Sequence, residues 1–249
     1  MALATRMERI PDIEALSGVY NANRMFGGTA SELVHSKQLM NERIEHIIAG
    51  ASTELLTLQP ADPVDRDPEV QWRGVRRDRA LLERGARVRY LYSAAALEHE
   101  VTVELADAFL SVGGEVRVGR QLPPRMVIVD GRHLFVGNSV VPAEADAGWH
   151  VTDIASVSWA GEVFAKAWEA ATPWNQARAN AAGAVSTARQ RDILRCMELG
   201  DGQQQIAERS GWSERVIARE LAALRRSLGM RSTYQVMIWW AGTEERKLP

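Results

Sequence analysis

The sequence predicts an α/β N-terminal part, a largely parallel sheet with flanking helices, followed by an all-α C-terminal part. From Ser31 to Ala171, short apolar strands alternate with helical patterns of about 12 to 16 residues, the mark of βαβ units. Residues 186–249 carry three or four short helical patterns and no strand. Between them lies TPWNQARANAAGAVS, rich in alanine and small polar residues, which reads as a linker. The expected division is an N-terminal segment of weak signals (1–30), a sheet domain (31–171), a linker (172–185) and a helical domain (186–249).

The elements follow in order. Leu33, Leu39, Met40, Ile44, Ile47 and Ile48 recur at helical spacing, and Gly50 closes that helix. ELLTLQ (54–59) is a short strand, and ADPVDRDPE a loop by its prolines and acids. A charged helix over 69–84 ends at Gly85, and ARVRYLYS (86–93) is a strand. A helix over 99–112 ends at Gly113-Gly114, and 115–119 is a strand. RMVIVDGRHLFVGN (125–138) is a β-hairpin, because Asp-Gly between two apolar runs signals a two-residue turn. Residues 149–154 add an edge strand. Residues 157–171 form a helix with Phe164, Ala167, Trp168 and Ala171 on one face. No internal repeat is visible.

Composition narrows the class. The chain has 249 residues, 46% hydrophobic and 25% charged, as in soluble globular proteins. No apolar run approaches the roughly 18 residues that cross a bilayer, and the first residues lack the apolar core of a signal peptide, so no membrane partner is expected. Cys196 is the only cysteine, which points to a reducing cytoplasm and a free buried thiol. With only three lysines (Lys37, Lys166, Lys247) among 30 basic residues, the chain suggests a GC-rich bacterial coding sequence. Net charge is −2, yet residues 185–231 hold nine arginines and six acids, +3, which leaves about −5 elsewhere. A basic segment in an acidic chain suggests that one part meets a polyanion.

That segment holds GQQQIAERSGWSERVIARELAALRRSLGMRS, which has the form of a helix-turn-helix. Gly211 permits the tight turn, and Ser213 caps the second helix. Ile217, Leu221, Leu224 and Leu228 bury one face of that helix, while Arg215, Arg219, Arg225 and Arg226 lie on the opposite one. Such a helix can enter the major groove of double-stranded DNA. The candidate contacts are Gln204, Ser213, Glu214, Arg215, Arg219, Arg225, Arg226 and Arg231.

Together with TARQRDIL (187–194), this run resembles the C-terminal DNA-binding domain of LuxR-type transcription regulators over residues 186–240. Gln190 and Gln205 stand where that family usually has glutamates, Ala218 where it often has lysine, and Glu220 where it often has histidine. The resemblance implies promoter DNA as partner, RNA polymerase as a further one, and a homodimer paired through the helix bearing Val236, Met237, Ile238, Trp239 and Trp240.

The Asp-Gly hairpin has a resemblance of its own. Phospholipase D-type enzymes carry His-x-Lys-x4-Asp, in which the histidine attacks phosphorus and the lysine holds phosphate oxygens. Counting back from Asp130 puts Arg125 at the lysine position and Pro123 at the histidine position, and proline cannot attack. His35-Ser36-Lys37 matches His-x-Lys, but it opens an amphipathic helix and reads as coincidence. Residues 33–171 thus look like a phospholipase D-like domain stripped of its chemistry, similar to the sensor modules of TrmB-like regulators.

A cleft at the strand ends would hold a small-molecule effector, with Gln59, Tyr92, Arg125, Asp130, His133 and Asn138 as candidates. Trp149-His150 could form a lid, although aromatic packing explains the pair as well. No metal or cofactor is expected, since no His/Cys/carboxylate cluster has ligand spacing and no Gly-rich phosphate loop follows a strand. The expectation is a non-enzymatic regulator. A phosphodiesterase or nuclease using Arg125, Asp130 and a histidine from elsewhere in the chain, and a ligand-free dimerising interaction protein, are the alternatives.

Overall fold

The computed structural model describes residues 30–60, 68–120, 122–138 and 146–249. The expected N-terminal segment and most of the proline-rich loop lie outside them.

An eight-stranded mixed sheet organises the first part, in the order β1-β7-β6-β5-β2-β3-β4-β8. Its strands are β1 (Ser31–Val34), β2 (Glu54–Gln59), β3 (Arg87–Ser93), β4 (Glu115–Gly119), β5 (Met126–Val129), β6 (His133–Gly137), β7 (Gly148–Val151) and β8 (Thr172–Pro173). Only β2–β3 and β3–β4 pair in parallel, and the other five pairings are antiparallel. This corrects the expectation of a largely parallel sheet. Alternation with helices reported the parallel section faithfully, but β5, β6 and β7 are joined by fewer residues than a parallel crossover needs and so run back and forth.

Helices cover both faces, so β5 is apolar and buried throughout and β2 is buried over all but its first residue. Along β2, Leu55 faces one layer, while Leu56 and Leu58 face the other. The first layer is α1 (Lys37–Ala49), α2 (Pro68–Glu83) and α3 (Glu100–Ser111), which pack Ile44, Ile48, Leu81 and Phe109 on Val88, Val116, Val127 and Val129. The second is α4 (Ile154–Ala170), whose Val157, Ala160, Phe164 and Trp168 cover Leu91, Met126, Ile128 and Leu134. Asp153 starts α4 by accepting from Ser156 N at 2.8 Å. Ser36 starts α1 in the same way from Leu39 N at 3.2 Å, so His35-Ser36-Lys37 is indeed a helix entry.

Three elements differ from expectation. The strand expected at the edge over 149–154 is β7, which lies inside the sheet between β1 and β6. Leu33 belongs to β1 rather than to the first helix, because its partner β7 lies more than a hundred residues downstream, beyond the reach of local periodicity. Residues 172–185, read as a linker, hold β8 and α5 (Trp174–Ala181). β8 pairs with β4, and Trp174 and Ala177 are fully buried against the sheet. The alanines that suggested a linker allow α5 to approach closely.

The C-terminal part is four helices around Ile193, Leu194, Ile206, Ile217, Leu221, Leu224, Val236 and Trp240: α6 (Ala188–Glu198), α7 (Gln203–Ser210), α8 (Glu214–Ser227) and α9 (Thr233–Gly242). The two glutamines noted as departures still serve the helix starts. Gln190 Oε1 accepts from Thr187 N while Thr187 Oγ1 accepts from Gln190 N, a reciprocal cap on α6. Gln205 Oε1 accepts from Gly202 N at 2.7 Å before α7.

The two parts are packed together. Glu98, in the 3-10 turn Ala94–Glu98 after β3, accepts from Ala188 N at the head of α6. Within the helical part, fully buried Arg191 donates to Ser186 O at 2.5 Å and Pro249 O at 2.8 Å, which fixes the C-terminal end against the start of α6. Glu245 accepts from Val185 N at 2.6 Å and Ser186 N at 2.9 Å.

Candidate functional site

α7 and α8 are joined by a tight turn that the backbone dictates. Gly211 sits in the left-handed region at φ 76°, where a side chain would be strained. Ser213 Oγ then accepts from Val216 N at 3.3 Å to open α8. At about 100° per residue, Arg215, Arg219 and Arg226 fall within about 40° of one another around α8 and span about 16 Å of its axis. All three are exposed, and the stripe lies opposite the buried Ile217, Leu221 and Leu224. Arg225 departs from the expected set: it lies a quarter-turn away, is half-buried, and its Nε is enclosed without a partner. Gln204, Ser213, Glu214 and Arg231 are exposed around the same surface.

Glu220 shapes this face. Its carboxylate accepts from Arg219 Nη2 at 3.1 Å and lies 3.6 Å from Arg189 Nη1. Sequence reasoning noted Glu220 only as a departure, yet it ties Arg219 sideways along the helix.

The sheet-domain candidates do not form one constellation. Gln59 and Tyr92 pair across β2 and β3 where the parallel strands end, and Arg125 and Asn138 flank the adjacent ends of β5 and β6. Asp130 and His133 lie at the opposite edge. Five residues of extended chain separate Arg125 from Asp130, about 16 Å. Side chains so far apart do not converge on a single phosphorus. Tyr92 is engaged in packing, 5.7 Å from Tyr90 and 6.1 Å from Trp174 between ring centroids. Asn138 Oδ1 accepts from Trp149 Nε1 at 3.4 Å.

Asp130 has a structural task. It is the one described non-glycine residue at positive φ, 51°, and Gly131 follows at 59°. The connection is three residues long, since Val129 pairs with His133, rather than the two expected. The Asp130 carboxylate accepts from the backbone N–H groups of Ser52 (3.0 Å), Thr53 (2.9 Å) and Glu54 (3.0 Å) and from Thr53 Oγ1 (2.8 Å). Burial acts to raise its pKa, but these donors prevail and hold it at about 2. It thereby ties the hairpin to the start of β2.

His133 Nδ1 lies 3.0 Å from His150 Nε2, and His150 stacks on Phe135 at 4.5 Å between ring centroids. Burial, reinforced by His133 and Arg43 and opposed by Glu32, lowers the His150 pKa to about 4. Trp149 is buried, so Trp149-His150 is packing and not a lid. Sequence reading missed a further polar cluster: Asp78 on α2 is fully buried, accepts from Arg77 Nε at 2.8 Å and is hydrogen-bonded by the Tyr90 hydroxyl. Burial pushes the Asp78 carboxyl up, against the pull of Arg77.

Of the residues expected to pair two subunits, Val236 and Trp240 are buried in the helical part's own core, while Ile238 is exposed, as is the neighbouring Tyr234. Cys196 is half-buried on α6. Among the described residues, no group of three His, Cys, Asp or Glu could hold a metal ion, and no helix is long and apolar enough to cross a membrane.

No protein-family model matches the sequence, and no curated protein matches it. Among solved structures it is similar to TrmBL2, an archaeal chromatin protein with a novel mode of DNA binding, at 16% identity and a TM-score of 0.46. That match covers 69% of this chain and 62% of TrmBL2, under two thirds of its length. It is also similar to Nuc, a phospholipase D family member from Salmonella typhimurium, at 14% identity and TM-score 0.45, covering 58% of this chain and 97% of that one. NucT from Helicobacter pylori matches at 13% identity and TM-score 0.47, covering 58% and 98%. Similarity of this order leaves function to be argued from the chain's own residues.

Proposed function

We propose that the chain is a sequence-specific DNA-binding transcription regulator of LuxR type, with α7 and α8 as its helix-turn-helix. The observation that carries this reading is the solvent-facing stripe of Arg215, Arg219 and Arg226 on a capped helix presented by a tight turn. Three guanidinium groups along about 16 Å can reach phosphates and base edges of a duplex, and the first turn of α8, with Ser213, Glu214 and Arg215, is the end that would read base edges. Two copies would grip half-sites about one helical turn apart, with the sheet domain setting their separation. An effector at the strand ends near Gln59, Arg125 and Asn138 would act by favouring one arrangement of the two parts, and RNA polymerase is the expected downstream partner.

The test is selection of bound fragments from a random DNA pool at two salt concentrations. A regulator recovers a defined site at the higher salt. Arg215→Ala and Arg219→Ala should each weaken binding to that site about tenfold or more, with the far-UV circular dichroism unchanged. Affinity unaltered in both variants would remove α8 as the reading helix. Binding only at low salt with no preferred sequence would reduce the interface to phosphate contacts.

A further inference from the structure

A cleft of about 460 Å³ lies at the junction of the two parts, lined by Arg120, Arg195, Glu198, Thr243, Glu244, Arg246 and Lys247 among others. Four cations face two carboxylates there, and both carboxylates are already engaged. Glu198 accepts from Arg246 Nε at 3.1 Å and from Trp240 Nε1 at 3.1 Å, and Glu244 holds Lys247 Nζ at 2.7 Å. Arg195 pairs with Asp192 at 2.8 Å, outside the lining. Arg120 has no such compensation. It follows the end of β4, is exposed, and among the described residues its guanidinium donates only to the backbone carbonyl of Lys247.

The next carbonyl, that of Leu248, is held by Arg195 of α6. Two arginines from different parts of the protein therefore grip consecutive carbonyls of one strap, close enough for each to repel the other's charge. Like charges facing across an interface are costly unless an anion lies between them. Guanidinium and ammonium groups lining one cleft supply the N–H donors that the oxygens of a tetrahedral oxyanion accept.

We infer that the cleft bounded by Arg120, Arg195, Arg246 and Lys247 is a binding site for a small phosphate-bearing ligand that bridges the sheet and the helical part. A DNA backbone is the other source of the same chemistry. The three-helix core of Ile193, Leu194, Ile217, Leu221 and Trp240 separates the cleft from the stripe on α8, so a duplex seated on that stripe does not reach it. The site itself stands without the regulator reading; only its regulatory consequence, fixing the angle at which α8 is presented, rests on it.

The experiment is thermal unfolding of the full chain with inorganic phosphate against sodium chloride at equal ionic strength. A native-state ligand raises the midpoint in a saturable way. The expected result is a rise of several degrees that saturates, is lost in Arg120→Gln, and persists in Arg215→Ala. Each variant is compared with its own phosphate-free midpoint, so a change in basal stability does not confuse the reading. No rise, or an equal rise in Arg120→Gln, overturns the site. A second arm measures binding of random-sequence duplex. If Arg120→Gln lowers the slope of log affinity against log salt by about one, the arginine is a DNA phosphate contact and the small-ligand assignment falls. A chain that binds no DNA but keeps the phosphate effect would retain the site and lose the regulator.

Discussion

Asp130→Ala should destabilise the sheet part, and the size follows from the contacts. The carboxylate is held at about 2, against an ordinary value of 3.8, by three backbone N–H groups and one hydroxyl. At about 1.4 kcal/mol per unit the gap would correspond to about 2.5 kcal/mol, and solvent screening of a partly exposed carboxylate reduces that to about 1 kcal/mol. Alanine at φ 51° adds about 1 kcal/mol of backbone strain, which asparagine, common in the left-handed region, largely avoids.

The expected losses are therefore about 2 kcal/mol for Asp130→Ala and about 1 kcal/mol for Asp130→Asn, or about 4 to 8 °C and about 2 to 4 °C in midpoint. A carboxyl with a depressed folded pKa stabilises fully above its unfolded value, and the contribution is lost as pH falls through the folded one. The gap between wild type and Asp130→Asn should thus be complete at pH 7 and shrink between about pH 4 and pH 2. Urea titrations followed by circular dichroism at pH 7 and pH 3 measure both effects. Wild-type stability in Asp130→Ala at pH 7 would refute the tie to β2. Hydrolysis of a chromogenic phosphodiester that vanishes in that variant would restore a chemical role for the residue.

Other outcomes follow from the packing and the titrating groups. Trp174→Ala should cost about 3 to 5 kcal/mol, because a fully buried indole leaves a cavity between α5 and the sheet. Trp159→Ala, on the exposed face of α4, should cost under about 0.5 kcal/mol; thermal unfolding of the two distinguishes a packed α5 from a linker. His150 should titrate near pH 4 by NMR, with stability from its neutral ring complete above 6.5 and lost as pH falls toward 4, about 1 to 2 kcal/mol after discounting for its half-exposed ring. A titration midpoint near 6.5 would show that the His133–His150 contact does not persist in solution.

How much was legible depends on the distance between partners. The cap at Ser213, the turn at Gly211 and the buried face of α4 are written within a dozen residues, and their periodicity reports them. The role of Asp130 is not, because its donors lie 76 to 78 residues earlier in the chain. Leu33 reads as helix for the same reason, its strand partner Trp149 being remote. Composition misled at residues 172–181, where small side chains mean close approach rather than freedom. The candidate ligand set was split because strand ends were known but strand direction was not: Arg125 and Asp130 flank one strand and lie at its two ends in any case, and the antiparallel run of β5 against β2 decides that Arg125, not Asp130, shares an edge with Gln59. Arg225 shows the remaining limit, since a position on a helical wheel does not tell whether a long side chain folds back against its neighbours.

The position of β1 bears on how the chain is made. Among the described residues, the first strand of the sheet in sequence pairs with β7 alone, Ser31 opposite Val151. During synthesis it must wait, unpaired, while well over a hundred residues emerge, and closing so long a loop slows the step further. Among the described strands, the pairing of β2, β3 and β4 can therefore form before the flank of β7 is closed by β1, a segment much earlier in the chain. Until then the open flank of β7 is a template for any extended segment nearby, so the newborn protein is most vulnerable to mispairing in the interval between the appearance of β7 and the return of β1.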